Sequence, residues 1–140
     1  RRLVKDSRQE QESMNKMVIN RVRIGKVLIV SVSGEIHAEE AQALRDFLKS
    51  SYAQNFNLFL IDLLEVDFIC SAGLRAILEL KRETMSRNGE VRLVRPNSQV
   101  YEVFQTTGLD KILDFYLMAS DALLDWISPE EKPAEKPKES

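Results

Sequence analysis

The sequence is poor in the residues that most often carry redox, metal or membrane functions. One cysteine and one histidine occur among 140 residues, which excludes an internal disulfide and leaves no set of imidazoles or thiolates for a metal. No apolar run approaches the roughly 20 residues that span a bilayer. The N-terminal part also lacks the apolar core of a signal peptide. We therefore expect a cytoplasmic protein that binds no metal and no membrane.

Excess positive charge is also missing. Twenty basic and 22 acidic residues give a formal net charge of −2, so no broad basic field exists to attract a nucleic-acid backbone. Arginines recur in pairs at Arg21 and Arg23 and at Arg92 and Arg95. Such spacing is typical of solvent-facing strands and turns, and we expect these side chains to be solvated. The sequence predicts no nucleic-acid partner.

Signals for catalysis are weak. The chain has no glycine-rich phosphate loop. Asp62 and Asp67 would need a pocket and a substrate to act as paired catalytic carboxylates, and the sequence indicates neither. His37 with Glu39 and Glu40 could suggest a metal site, but no second imidazole or thiolate lies nearby in the sequence, so we expect no metal there. We expect neither an enzyme nor a cofactor.

Composition divides the chain into three parts. Residues 1–16 are charge-rich and are expected to form a flexible or helical arm. Residues 129–140 contain three prolines and alternating Glu and Lys, and such a segment buries too little apolar surface to offset its ordering entropy. The folded domain is predicted to cover residues 17–128, a suitable length for one hydrophobic core.

Hydrophobic periodicity alternates between strand and helix within this domain. Two strands, Met17–Arg23 and Val27–Val32, form a hairpin around Gly25-Lys26, and Gly34 ends the second strand. Further strands are predicted at Leu58–Leu63, Val91–Val94 and Lys111–Phe115. The predicted helices are Ala38 to about Ser51, one from about Ser71 to Asn88-Gly89, one from Pro96-Asn97 to Gly108, and one capped by Ser120 or Asp121.

This alternation predicts a single α/β domain. Parallel neighbours need helical crossovers, so we expect a four- to five-stranded, mostly parallel mixed sheet with an N-terminal antiparallel hairpin and about four helices. The almost wholly apolar segment Leu58–Leu63 should be the central strand. Ligands and partners bind most often at the carboxyl edge of such sheets. Asp62, Asp67, Cys70 and Ser71 are expected near that edge.

Ser71 is the residue with the clearest functional potential. It lies between an apolar strand and a helix whose apolar face includes Leu74 and Ile77. A serine at a helix start can simply cap the helix. The unpaired N–H groups and the helix dipole also favour a phosphate there. Cys70, beside it, is expected to be a semi-buried packing residue rather than a reactive thiol.

The ordered motifs resemble those of the anti-sigma factor antagonists, which carry the STAS domain. The resemblance covers about Met17 to Ile127. It rests on four motifs in sequence order, the last of which precedes Ile112: Gly34-Glu35-Ile36, Leu60-Ile61-Asp62-Leu63, Asp67-Phe68-Ile69-Cys70-Ser71-Ala72-Gly73-Leu74, and Gly108-Leu109.

The resemblance implies a partner switch without catalytic activity of its own. The unmodified antagonist binds a serine kinase of the histidine-kinase-like ATPase type that is also the anti-sigma factor, and so frees the sigma factor. Phosphorylation of Ser71 releases the antagonist, and a serine phosphatase resets it. The resemblance places partner binding at Gly34, Glu35, His37, Asp62, Asp67, Cys70, Ser71, Ala72, Gly73, Leu74 and Arg75.

The sequence departs from the family pattern at Cys70 and His37, where the family commonly has acids. We expect two fewer negative charges around Ser71. Two alternatives therefore stay open beside the phosphorylated switch: a STAS scaffolding or interaction module that works without phosphorylation, and a small-molecule or nucleotide-binding domain. A monomer or weak dimer is expected.

Overall fold

The structure is a computed structural model and describes residues 17–127. The predicted arm and tail lie outside this range. Within this range, five strands and four α-helices follow one another, with a short 3-10 turn at Leu109–Lys111. The strands are β1 (Val18–Ile24), β2 (Val27–Ile36), β3 (Leu58–Ile69), β4 (Glu90–Val94) and β5 (Asp114–Tyr116). The helices are α1 (Ala38–Ala53), α2 (Ser71–Met85), α3 (Ser98–Thr106) and α4 (Ala119–Leu123).

The strands form one mixed sheet in the order β1-β2-β3-β4-β5. β1 is antiparallel to β2, and the three remaining pairs are parallel. The predicted hairpin, the mixed sheet and the central position of the third strand are confirmed. β3 lies in the middle of the sheet, and core residues cover both of its faces. A nearly continuous apolar sequence is typical of such a strand.

The larger core lies on one face of the sheet. Alternate residues of β2, β3 and β4, such as Val30, Ile61 and Leu93, are fully buried. They pack in one cluster with Leu44 of α1 and Ile77 of α2, because residues two apart on a strand point to the same face. Phe104 of α3 completes this cluster.

A smaller core lies on the opposite face. Val27, Leu60 and Val94 pack there against Ala122 and Leu123 of α4. Arg92 shares this face and is only 5% exposed. Its guanidinium donates to both carboxylate oxygens of Asp125. The prediction of a solvated Arg92 is therefore wrong: this cation is buried because a carboxylate pairs with it.

The middle strands are longer than their sequence patterns indicate. β2 continues through Gly34 to Ile36, and β3 continues past Leu63 to Ile69. The two strands stay paired through register shifts between Ser31 and Ser33 and between Gly34 and Glu35. A bulge inserts a residue and shifts the alternation of side chains, which hides the extension from a pattern of period two.

The C-terminal elements also differ from their predicted boundaries. The last strand begins at Asp114 instead of Lys111, because Leu109–Lys111 forms the 3-10 turn. The last helix starts at Ala119, so neither Ser120 nor Asp121 is its N-cap; Met118 occupies that position. The predicted start of α3 is confirmed: Asn97 is its N-cap, and the Asn97 side chain accepts from the Val100 N–H at 2.8 Å.

Candidate functional site

The ends of β2 and β3 bring the candidate residues together. Glu35 pairs with Phe68, and Ile36 pairs with Ile69. Gly34 lies at the second register shift with φ of 102°, a conformation that favours glycine. The turn from β2 into α1 and the turn from β3 into α2 consequently lie side by side at the carboxyl edge of the sheet. We call this region the switch edge and define it as residues 34–37 and 67–75.

Ser71 is the first residue of α2 and is exposed. The preceding Cys70 is the N-cap, with extended backbone angles and no side-chain cap bond. The reading of Ser71 as a plain N-cap is therefore wrong. Its hydroxyl is not needed for capping, and the N–H groups of Ser71 and Ala72 have no intrahelical partner.

The backbone fixes where this helix starts. The Cys70 N–H donates to the Ile36 carbonyl at 2.9 Å, and the Cys70 carbonyl accepts from the N–H groups of Gly73 and Leu74. Cys70 itself is half-buried against the main core, in agreement with its predicted packing role. The position of Ser71 is thus determined by bonds to both β2 and its own helix.

Gly73 and Leu74 belong to the core beneath the switch edge. Leu74 is only 4% exposed, and Gly73 is buried. A Cβ at position 73 would lie 2.8 Å from Ile69 Cγ1 and 2.9 Å from Ile36 Cγ2, closer than atoms pack. The resemblance placed both residues on the partner surface, but in the structure they are buried packing residues. The close contact at Gly73 determines how near α2 lies to the strands.

His37 links the two turns. Its Nε2 lies 2.8 Å from Glu35 Oε1, and its ring stacks on Phe68 with centroids 4.6 Å apart. Its backbone N–H donates to Glu40 Oε1 at 3.1 Å, which anchors the start of α1 in the manner of a capping box. The His37 ring thus joins β2, α1 and β3.

The two aspartates differ in position. Asp67 is exposed near the end of β3, within the switch edge. Asp62 instead pairs with Ser31 and Val94 in the middle of β3. Its carboxylate accepts from the Leu64 N–H at 3.0 Å and from Arg95 Nη2 at 3.2 Å. Asp62 is therefore not beside Ser71, contrary to the prediction, because the strand continues well beyond it.

A shallow groove of about 180 Å³ runs beside Ser71 between α1 and α2. Ala72, Ala76 and the exposed Arg75 line it from α2. Arg45 of α1 pairs across the groove with Glu79 of α2, Nε to Oε1 at 2.8 Å. The Arg45 hydrogen bond lowers the pKa of Glu79. This ion pair ties the two helices together close to the switch edge.

Sequence reasoning missed an apolar component of this surface. Phe68 is 43% exposed and Leu64 is 42% exposed, both on the extended part of β3. Phe68 was part of the motif but was not singled out. Its position becomes visible only when the extension of β3 to Ile69 is known, because the predicted strand ended at Leu63. Half-exposed aromatic side chains of this kind are frequent at the centre of protein interfaces.

The described residues 17–127 hold no group of three or more potential metal-ligating side chains. Within the same range, no helix has the length and hydropathy needed to cross a bilayer. The switch edge offers one exposed hydroxyl, the free N–H groups of a helix start and a mixed polar and aromatic surface. Such a site suits modification and protein binding.

Fold and site together define a small α/β domain with an exposed serine at the start of a helix. The model of the STAS domain family matches residues 18–122, and the chain belongs to this family. The anti-sigma-F factor antagonist RsfB of Mycobacterium tuberculosis is 31% identical over 97 residues, which cover 69% of this chain and 79% of RsfB.

Solved structures give the same assignment. An anti-sigma factor antagonist from Mycobacterium paratuberculosis is 28% identical with a TM-score of 0.71, over 79% of this chain and 93% of its own. SpoIIAA in its unphosphorylated form matches in fold with a TM-score of 0.68 at 17% identity, over 76% of this chain and 95% of its own. The predicted family and fold are confirmed.

Proposed function

We propose that this protein is an anti-sigma factor antagonist that works as a partner switch, with Ser71 as the phosphoacceptor. The observation that carries the proposal is the exposed hydroxyl of Ser71 at the first residue of α2. The unphosphorylated protein binds a serine kinase of the histidine-kinase-like ATPase type that also serves as the anti-sigma factor. The sigma factor is thereby freed. The protein acts in the cytoplasm as a substrate and binding partner, without catalysis of its own.

Phosphoryl transfer reverses this state. The Ser71 Oγ attacks the γ-phosphorus of the kinase-bound ATP, the bond to the β-phosphate oxygen breaks, and ADP leaves while the hydroxyl proton passes to a base of the kinase. The phosphoserine carries about −1.5 to −2 charges at pH 7. A serine phosphatase then hydrolyses the phosphate ester and restores the hydroxyl.

Electrostatics and desolvation explain why the phosphorylated form dissociates. An interface fitted to a neutral hydroxyl would have to bury a dianion beside Glu35 and Asp67, which a desolvation penalty opposes. The free N–H groups at the start of α2 stabilise the phosphate without a change of fold. Phe68 and Leu64 supply the apolar contact area of the complex, and the same area is available to both states.

The scaffolding alternative rests on a different observation. His37 and Cys70 occupy positions where the family commonly has acids, and His37 pairs with Glu35. Without those two acids, a new phosphate would meet less negative charge. If the apolar surface around Phe68 dominates binding, the affinity for the partner would not depend on Ser71.

A pair of matched variants separates the two functions. Ser98 is an exposed serine at the first residue of α3, the same helical position that Ser71 holds in α2. With the cognate kinase, Ser71→Asp should weaken binding by at least about tenfold, equivalent to about 1.4 kcal/mol. Ser98→Asp should bind like the wild type. If Ser71→Asp and Ser98→Asp both bound the kinase as tightly as the wild type does, the result would favour the scaffold. A Ser71→Asp variant that did not fold would contradict a local switch.

Mass spectrometry tests the modification directly. After incubation with the cognate kinase and ATP, the wild type and Ser98→Ala should gain the mass of one phosphoryl group, whereas Ser71→Ala should gain none. Peptide fragmentation should locate the group on Ser71. Phosphate on another residue, or equal uptake by Ser71→Ala, would overturn the assignment.

A further inference from the structure

A cavity of about 620 Å³ lies at the opposite end of the sheet from Ser71. Four separate segments form it: β1, the β1–β2 turn, the connection from α1 to β3, and the connection from α2 to β4. The whole length of β3, from Leu58 to Ile69, separates this cavity from the switch edge. That length corresponds to roughly 35 Å at the usual rise per residue.

The cavity is lined by positive charge. Arg21, Arg23 and Lys26 all contribute to the lining, and no carboxylate does. The five ion pairs found within residues 17–127 involve none of these three cations. Only the Arg23 Nε is engaged, donating to the Gly25 carbonyl at 3.0 Å. The remaining guanidinium and ammonium donors are available for an anion.

An aromatic ring orders the two arginines. The guanidinium carbons of Arg21 and Arg23 lie 5.8 and 5.9 Å from the centre of the Phe56 ring. At this separation each guanidinium is attracted to the ring face. Arg21 and Arg23 are exposed, as the sequence predicted, and both lie beside one ring. This shared contact reduces the conformational entropy that binding would otherwise cost.

Amide side chains complete the lining. Asn55 and Asn88 adopt left-handed backbone angles, with φ of 75° and 61°, and both line the cavity. Asn57 also lines it, and its Nδ2 donates to the Arg87 carbonyl at 2.8 Å, which fixes the edge of the cavity. The site thus combines cations, neutral hydrogen-bonding groups and the apolar side chains of Phe56 and Leu58.

We infer that this cavity binds a small soluble organic phosphate. Arg21, Arg23 and Lys26 would hold the phosphate, because guanidinium forks match its oxygens and an ammonium adds a point charge. The organic portion would rest against Phe56. The volume lies within the range of small-molecule sites, about 300–1,000 Å³. An acidic peptide strand would instead pair along the open edge of β1, outside a concavity built from four segments.

Phenyl phosphate is a suitable probe. Inorganic phosphate, which lacks the ring, shows how much the proposed contact with Phe56 contributes. Isothermal titration of the full chain should detect phenyl phosphate binding at about 1 mM or below, tighter than that of inorganic phosphate. The Arg21→Ala/Arg23→Ala variant should bind at least about tenfold more weakly. Arg82→Ala/Lys111→Ala is the control, because it removes the same charge from exposed side chains outside the cavity, and it should bind like the wild type.

Several results would overturn the inference. These are no binding of phenyl phosphate at about 1 mM, an equal loss in the control variant, or binding only to phosphatidic acid vesicles. If the double alanine variant unfolds, Arg21→Lys/Arg23→Lys keeps the charge but removes the forks and should still bind more weakly than the wild type; unchanged binding by it would refute the guanidinium contacts. Ser71→Asp should leave the titration unchanged, so the outcome is independent of the proposed switch.

Discussion

The imidazole of His37 stacks on the ring of Phe68, with centroids 4.6 Å apart and ring planes inclined by 27°. This contact joins the start of α1 to the end of β3. Glu35 holds the other side of His37 through Nε2 at 2.8 Å. The surface next to Ser71 is therefore pre-organised by side chains that come from three elements, which reduces the ordering cost of binding a partner.

Phe68 should be an energetic centre of the partner interface. Phe68→Ala removes a half-exposed aromatic side chain, and we expect kinase affinity to fall by at least about tenfold, or about 1.4 kcal/mol. The free energy of unfolding should fall by about 1–3 kcal/mol, because the variant loses the contact with His37 and the buried part of the ring. Val22→Ala, at a 56% exposed site on β1, should change neither quantity. Wild-type affinity of Phe68→Ala in a binding titration would remove Phe68 from the interface.

Arg75 should stabilise the phosphorylated state. It lies four residues after Ser71 on α2, and side chains at this spacing lie on the same helical face. Phosphorylation should therefore raise the melting temperature of the wild type more than that of Arg75→Ala. The expected difference is about 1–2 °C, from about 0.2–0.5 kcal/mol per pair. Arg82→Ala is the matched control on the same helix. An equal phosphorylation shift in all three proteins would show that Arg75 does not contact the phosphate.

An element was predictable from the sequence where the local preference of its residues is also the role that they have in the fold. Asn97 is an example, since its preference for a helix cap is the role it has in the structure. The extension of β3 was not predictable, because two bulges interrupt the alternation of side chains beyond Leu63. Burial of Arg92 also escaped prediction. It depends on Asp125, which is distant in sequence and approaches only when α4 folds back over the sheet.

Gly73 should be required for stability. Alanine in place of glycine within a helix normally stabilises by about 1 kcal/mol. At position 73 the added Cβ would meet Ile69 and Ile36 at under 3 Å, so we expect Gly73→Ala to lower the free energy of unfolding by about 1–3 kcal/mol through overpacking. Urea denaturation measures this change. The sign is diagnostic: a more stable variant would show that the start of α2 is free to move away from the strands.

The pair formed by Arg92 and Asp125 fastens the last helical segment to the sheet. Arg92 Nη1 lies 2.8 Å from Asp125 Oδ1, and Nη2 lies 3.1 Å from Oδ2. The hydrogen bond from Arg92 lowers the pKa of Asp125 below its ordinary value of 3.8. A carboxyl whose pKa is lower in the folded than in the unfolded state stabilises the fold above the unfolded value. That contribution is lost as the pH falls through the folded value.

Asp125→Asn should therefore destabilise the protein at neutral pH and lose this effect in acid. At pH 7 the wild type gains from the ion pair, so the variant should unfold at a lower urea concentration. As the pH falls through the lowered folded pKa of Asp125, the carboxyl becomes protonated in both states, and the two midpoints should converge. Asp67→Asn changes an exposed carboxylate outside the observed ion pairs and should not show the same convergence. A gap between wild type and Asp125→Asn that is constant with pH would mean that charge pairing with Arg92 does not hold α4 in place.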